Sequence, residues 1–97
     1  MAIGTIHNTA YKIVSYSHSY TVSANGSVAL TADDMGASTP SGYAPVAITL
    51  VGSGNSNVAI RYANASATGS NNMVGLKSVS SSSITASASV SILYLRV

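Results

Sequence analysis

From Ala86 to Tyr94 apolar and polar positions alternate: Ala86, Ala88, Val90, Ile92 and Tyr94 fall on one side, Ser87, Ser89 and Ser91 on the other. A period of two is what a strand with one buried face requires, so this stretch reads as a β-strand. At its end Leu93 and Leu95 turn the second face apolar as well. Residues 92–97 are therefore expected to be covered on both sides, by an opposing sheet and by a neighbouring subunit or the N-terminal segment. Ile92, Leu93, Leu95 and Val97 are the candidate oligomer-interface residues. The plainer alternative is that Leu95 caps the core.

The same reading extends upstream. Residues 20–23 and 28–31 flank Asn25-Gly26, a dipeptide suited to a type I′ turn because both residues tolerate positive φ, and residues 18–31 are predicted to form a β-hairpin. Thr31-Ala32-Asp33-Asp34-Met35-Gly36 predicts one helical turn, with Thr31 capping it, two acids at the positive end of its dipole and Gly36 ending it. Residues 46–51 are apolar at both parities, which predicts a central strand, with Pro45 tolerated at its start. Further strands are expected at 58–62 and 73–77, separated by loops rich in Gly, Asn and Ser. Residues 11–17 add either a seventh strand or an arm. The fold class is all-β: a small antiparallel β-sandwich, jelly-roll-like, of six to seven strands with one short helical turn. The expected division is an attachment arm over residues 1–15 and the sandwich over 16–97.

Composition narrows the chemistry. The 97-residue chain has four basic and two acidic side chains, two histidines, and no Cys, Trp or Phe. Ordinary domains are about a quarter charged, and acid–base or nucleophilic catalysis needs titratable groups in clusters. No spacing ties a serine to His7 or His18 and an acid, so no catalytic residue is assigned. The Gly52–Asn57 loop precedes a strand and carries no lysine, unlike a phosphate loop, and no cofactor is expected. His7, His18, Asp33 and Asp34 are the available metal donors, but nothing in their spacing demands a metal, and none is assigned. The cations are spread from Lys12 to Arg96 without the stripe that nucleic-acid binding requires. No apolar stretch approaches the roughly 20 residues that cross a bilayer, and no signal peptide opens the chain. The apolar fraction of 46% is high for so little charge and argues for apolar surface shared between copies. Tyr16, His18 and Tyr20 share one parity and are the candidate ligand-contact aromatics. Their alternative is ordinary cross-strand packing.

Several segments resemble a small β-sandwich module of tailed-bacteriophage virion proteins: residues 23–31, Asp34-Met35-Gly36, residues 40–47, residues 54–61, Ala67-Thr68-Gly69-Ser70 and residues 82–94. The resemblance covers about residues 16–95 and consists of turns and strand patterns. It implies a trimeric assembly on the virion surface, built in the host cytoplasm, with the major capsid protein or another virion protein as partner. In such proteins the module commonly ends a fibre or tail protein. Here it begins near Met1 with no shaft ahead of it, which favours head decoration. If the chain is a C-terminal piece of something longer, the alternative recovers: a tail-fibre or receptor-binding tip that holds a host surface glycan through Tyr16, Tyr20 or the loop tips at 52–57 and 64–72.

Overall fold

The computed structural model describes residues 10–97. Six strands and one helical turn follow in order: β1 (Tyr11–Val22), β2 (Ser27–Thr31), α1 (Ala32–Met35), β3 (Tyr43–Gly52), β4 (Val58–Ala63), β5 (Asn72–Ser78) and β6 (Ile84–Arg96). They form two three-stranded antiparallel sheets, ordered β1-β6-β3 and β2-β5-β4. β1 approaches β2 at one side of the sandwich, with α1 packed against both, and β3 approaches β4 at the other.

The alternation at the end of the chain makes β6 the central strand of its sheet. Ala88, Val90, Ile92 and Tyr94 point inward and are almost completely buried. Leu30, Val74, Leu76 and Val58 close the core from the opposite sheet, with Met73 and Met35 buried beside them. The predicted helical turn forms as expected. The Thr31 hydroxyl accepts from the Asp34 N–H at 3.0 Å and the Asp34 carboxylate accepts from the Thr31 N–H at 3.0 Å. Gly36 closes the turn at φ 71°, a left-handed conformation that glycine adopts without a Cβ clash. The Thr31 backbone N–H first, and the Thr31 side chain second, hold the Asp34 carboxyl below its ordinary range.

Two local expectations are corrected. Residues 18–31 are not a hairpin: β1 pairs with β6 while β2 pairs with β5. The chain does turn, with the Gly26 N–H donating to the Ser23 carbonyl at 2.9 Å, but only Asn25 has positive φ, at 53°, whereas a type I′ turn needs it at two residues. The turn instead bonds to the β5–β6 connection, Asn25 N–H to the Ser80 carbonyl and Ser78 N–H to the Gly26 carbonyl, both at 2.9 Å. Two chain segments that change sheet thus run side by side. The apolar strand at 46–51 lies at an edge, as β3, and not at the centre. Register shifts between Pro45 and Ala47 and between Ile48 and Leu50 leave Val46 and Thr49 as extra residues, and at such bulges the strict alternation of faces is lost. Residues 11–15, read as either strand or arm, are the first part of β1 and pair with residues 91–95. Residues 1–9 of the expected arm, His7 among them, lie outside the described residues.

Candidate association surface

The outer face of the β1-β6-β3 sheet is set by register. Tyr11 lies opposite Leu95, Ile13 opposite Leu93, Ser15 opposite Ser91, Ser17 opposite Ser89, Ser19 opposite Ser87 and Thr21 opposite Thr85. Opposed residues of an antiparallel pair project from the same face, so one end of this face is apolar and the rest is a ladder of hydroxyls. β3 extends the apolar end, placing Ala44 beside Leu95, Ala47 beside Leu93 and Leu50 beside Ser91. Tyr11, Ile13, Leu50 and Leu95 are between 43% and 66% exposed, while Leu93, Ala44 and Ala47 are half-buried. Four large side chains exposed to that degree present on the order of 400 Å² of apolar area, within the roughly 300–600 Å² of the largest apolar patch on a typical monomer, which is often a functional one.

The expected interface residues divide across this sheet. Leu93 and Leu95 belong to the outer apolar end. Ile92 does not: its relative exposure is 0%, because its parity turns it into the chain's own core. Val97 follows the end of β6 and is 85% exposed, its N–H donating to the Gly42 carbonyl at 3.0 Å. Tyr11, Ile13, Ala47 and Leu50 share this face and lie outside the expected set. A signal for two of them is present in the sequence, since Tyr-Ile-Ser-Ser-Ser-Thr at alternate positions from Tyr11 to Thr21 mirrors Leu-Leu-Ser-Ser-Ser-Thr read backward from Leu95 to Thr85.

The aromatic row is placed differently from a ligand platform. Tyr16 and Tyr20 face inward with β1's buried parity. The Tyr20 hydroxyl donates to the Ser53 carbonyl at 2.6 Å, and the Tyr16 hydroxyl donates to the Ser38 carbonyl at 3.0 Å while lying 2.9 Å from the Tyr94 hydroxyl. Burial raises the Tyr20 and Tyr94 hydroxyls above their ordinary pKa, and for Tyr94 the bond to Tyr16 adds to the shift. His18 is exposed and stands near enough to Asp34 to lower that carboxyl slightly. The packing alternative accounts for both tyrosines. Among the described residues no three His, Asp or Glu side chains lie together as a metal would require.

A cleft of about 250 Å³ opens beside Tyr94, lined by residues 37–39 and 67–69, and its one buried hydroxyl is already bonded to Tyr16. Another of about 400 Å³ runs between β3 and residues 63–66 and carries no charged side chain. Neither assembles reacting groups. Compared with protein-family models, curated proteins and solved structures, the chain matches none of them.

Proposed function

We propose that this protein is a non-enzymatic structural subunit that assembles with copies of itself through the outer face of the β1-β6-β3 sheet. The apolar end of that face carries the reading. That end offers on the order of 400 Å² per copy, about half of the roughly 800 Å² per partner of a standard interface.

The resemblance to virion modules supplies the setting: three copies on the surface of a tailed-phage particle, decorating the head, seated on the major capsid protein or another virion component. Sedimentation equilibrium tests the assembly. The protein should sediment at three times the 9.7 kDa chain mass, and the double variant Ile13→Lys/Leu95→Lys should sediment as a folded single chain. A wild-type protein that stays monomeric at high concentration would refute the proposal. Antibody labelling of intact particles tests the setting, with label expected on heads and not on tail tips.

A further inference from the structure

The outer face of the other sheet carries a different chemistry. On β4, Tyr62 lies opposite Gly75 of β5, and its ring occupies the space that a side chain at position 75 would fill. Gly75 is buried beneath it while Tyr62 remains 41% exposed, so one side of the ring rests on backbone and the other meets water. The register shift between Ile60 and Tyr62 adds Arg61 to the strand as an extra residue, and its guanidinium donates to the Ser27 hydroxyl at 3.5 Å. Ser27 is directly opposite Lys77, whose ammonium donates to the Asn25 carbonyl. Two of the chain's four cations thus reach residues 25–27, Arg61 lining the cleft beside the open aromatic ring and Lys77 standing at its margin. Neither forms an ion pair among the described residues. Both acids of the chain are on α1, where Asp34 is occupied by the Thr31 cap.

We propose that this corner binds an acidic saccharide, with one sugar ring stacked on Tyr62 and its carboxylate or sulfate held by Arg61 and Lys77. Two uncompensated cations select an anion, and guanidinium matches a two-oxygen group bidentately. The cleft against the ring, about 230 Å³ and floored by Gly75 and Ala29, is smaller than the roughly 300–1,000 Å³ of sites for larger ligands. It therefore takes a single ring and leaves the rest of a glycan in solvent. Gly75 is a specificity element here, because any side chain would lift Tyr62 off the sheet. The site lies on the face opposite the association surface, so assembly leaves it open and multiplies weak single-site binding.

The test is a titration of the isotopically labelled protein, followed by amide NMR shifts, with digalacturonate, a sulfated galactose disaccharide and neutral galactobiose as probes. Saturable shifts at Ser27, Arg61, Tyr62, Gly75 and Lys77 with a millimolar Kd are expected for one or both acidic probes. Which of the two binds distinguishes carboxylate from sulfate. The neutral sugar, and the variants Arg61→Gln and Lys77→Gln, should bind about tenfold more weakly, a difference of about 1.4 kcal/mol. Tyr62→Ala should abolish binding, and Tyr62→Phe should keep it. The proposal is overturned by no saturable shift, by neutral and acidic sugars binding equally, by Arg61→Gln and Lys77→Gln binding like wild type, or by an oligonucleotide binding these residues more tightly than either sugar. None of these outcomes bears on the sedimentation result, so the two readings fail separately.

Discussion

The two ends of the β1-β6-β3 outer face share strands, register and exposure to one side, yet they leave the chain with different unfinished business. At the hydroxyl end, Ser15 and Ser91 are hydrogen-bonded at 2.7 Å and Thr21 and Thr85 at 2.9 Å. These groups satisfy one another and water, and stripping that water gains little unless every hydroxyl finds a new partner. At the apolar end, Tyr11, Ile13, Leu50 and Leu95 gain wherever water is excluded. Register alone therefore does not make a surface sticky. The change from Ser to Ile and Leu at fixed parity does.

The largest expected effect tests the parity on which this contrast depends. Ile92 and Leu93 are adjacent and face opposite ways. Ile92→Ala should cost about 2–5 kcal/mol of stability, the range for a truncated core side chain, read as a lower urea midpoint at unchanged slope. Leu93→Ala should cost less than about 1 kcal/mol in a chain held monomeric by Ile13→Lys/Leu95→Lys. Equal losses at both positions would mean that the strand is not divided into an inner and an outer face.

A charge placed in either half sharpens the contrast. Leu95→Lys should weaken association about 100-fold or more, because burying an ammonium between apolar side chains carries a large desolvation penalty. Ser89→Lys, on the same strand and face but within the hydroxyl ladder, should weaken it less than about tenfold by the same criterion of desolvation. Sedimentation of the two variants side by side reads the difference. Comparable losses would spread the interface over the whole face.

Much of the architecture is legible in residue order, and the exceptions share a cause. The period of two in β6 and the Thr31–Gly36 cap are local, so their chemistry is complete within a few residues. Asn25-Gly26 marks a reversal but carries no information on which strand becomes the partner; that is decided by β1 and β6, whose matched Ser and Thr positions extend over the length of β1. β3 reads as central because both parities are apolar. An edge strand with bulges shows the same pattern when one face meets the core and the other belongs to an exposed surface. Leu93 and Leu95 were visible as a candidate surface from one strand. Tyr11 and Ile13 are legible in the mirrored alternation of residues 11–21, whereas Ala47 and Leu50 join the surface only once β3 is in register with β6. Arg61, Tyr62 and Lys77 carry no motif at all, since they meet across β2-β5-β4 through a bulge and a glycine.

Hydroxyls inside the sandwich set a further contrast with those on its surface. Tyr94 is 1% exposed and bonded to Tyr16, and its pKa is raised by burial first and then by that bond. The unfolded chain releases this proton near the ordinary tyrosine value of about 10, while the folded chain retains it. Stability is therefore unaffected below about pH 10 and falls as pH rises above it, because there the folded state binds more protons than the unfolded one. Tyr94→Phe should move the alkaline unfolding midpoint upward, followed by circular dichroism. Tyr20, raised in the same direction, keeps some alkaline sensitivity in the variant. An unchanged midpoint would remove Tyr94 from the titration.

The smallest effect belongs to the ladder itself. Ser15→Ala removes one partner of the 2.7 Å pair, but the Ser91 hydroxyl remains half-exposed and can turn to water. The net worth of such a bond is about 0.5–1.5 kcal/mol when buried and less where water replaces it, so the expected loss is about 0.5 kcal/mol or below. The more informative readout is association. With its polar hydroxyl removed next to Ile13, in the row that Ser91 and Leu50 continue across the sheet, Ser15→Ala enlarges the apolar end by one row, and self-association should tighten even as the single chain loses a little stability. If both quantities fall together, the hydroxyl at position 15 bonds across the interface, and the boundary between the two halves lies beyond the Ser15–Ser91 row.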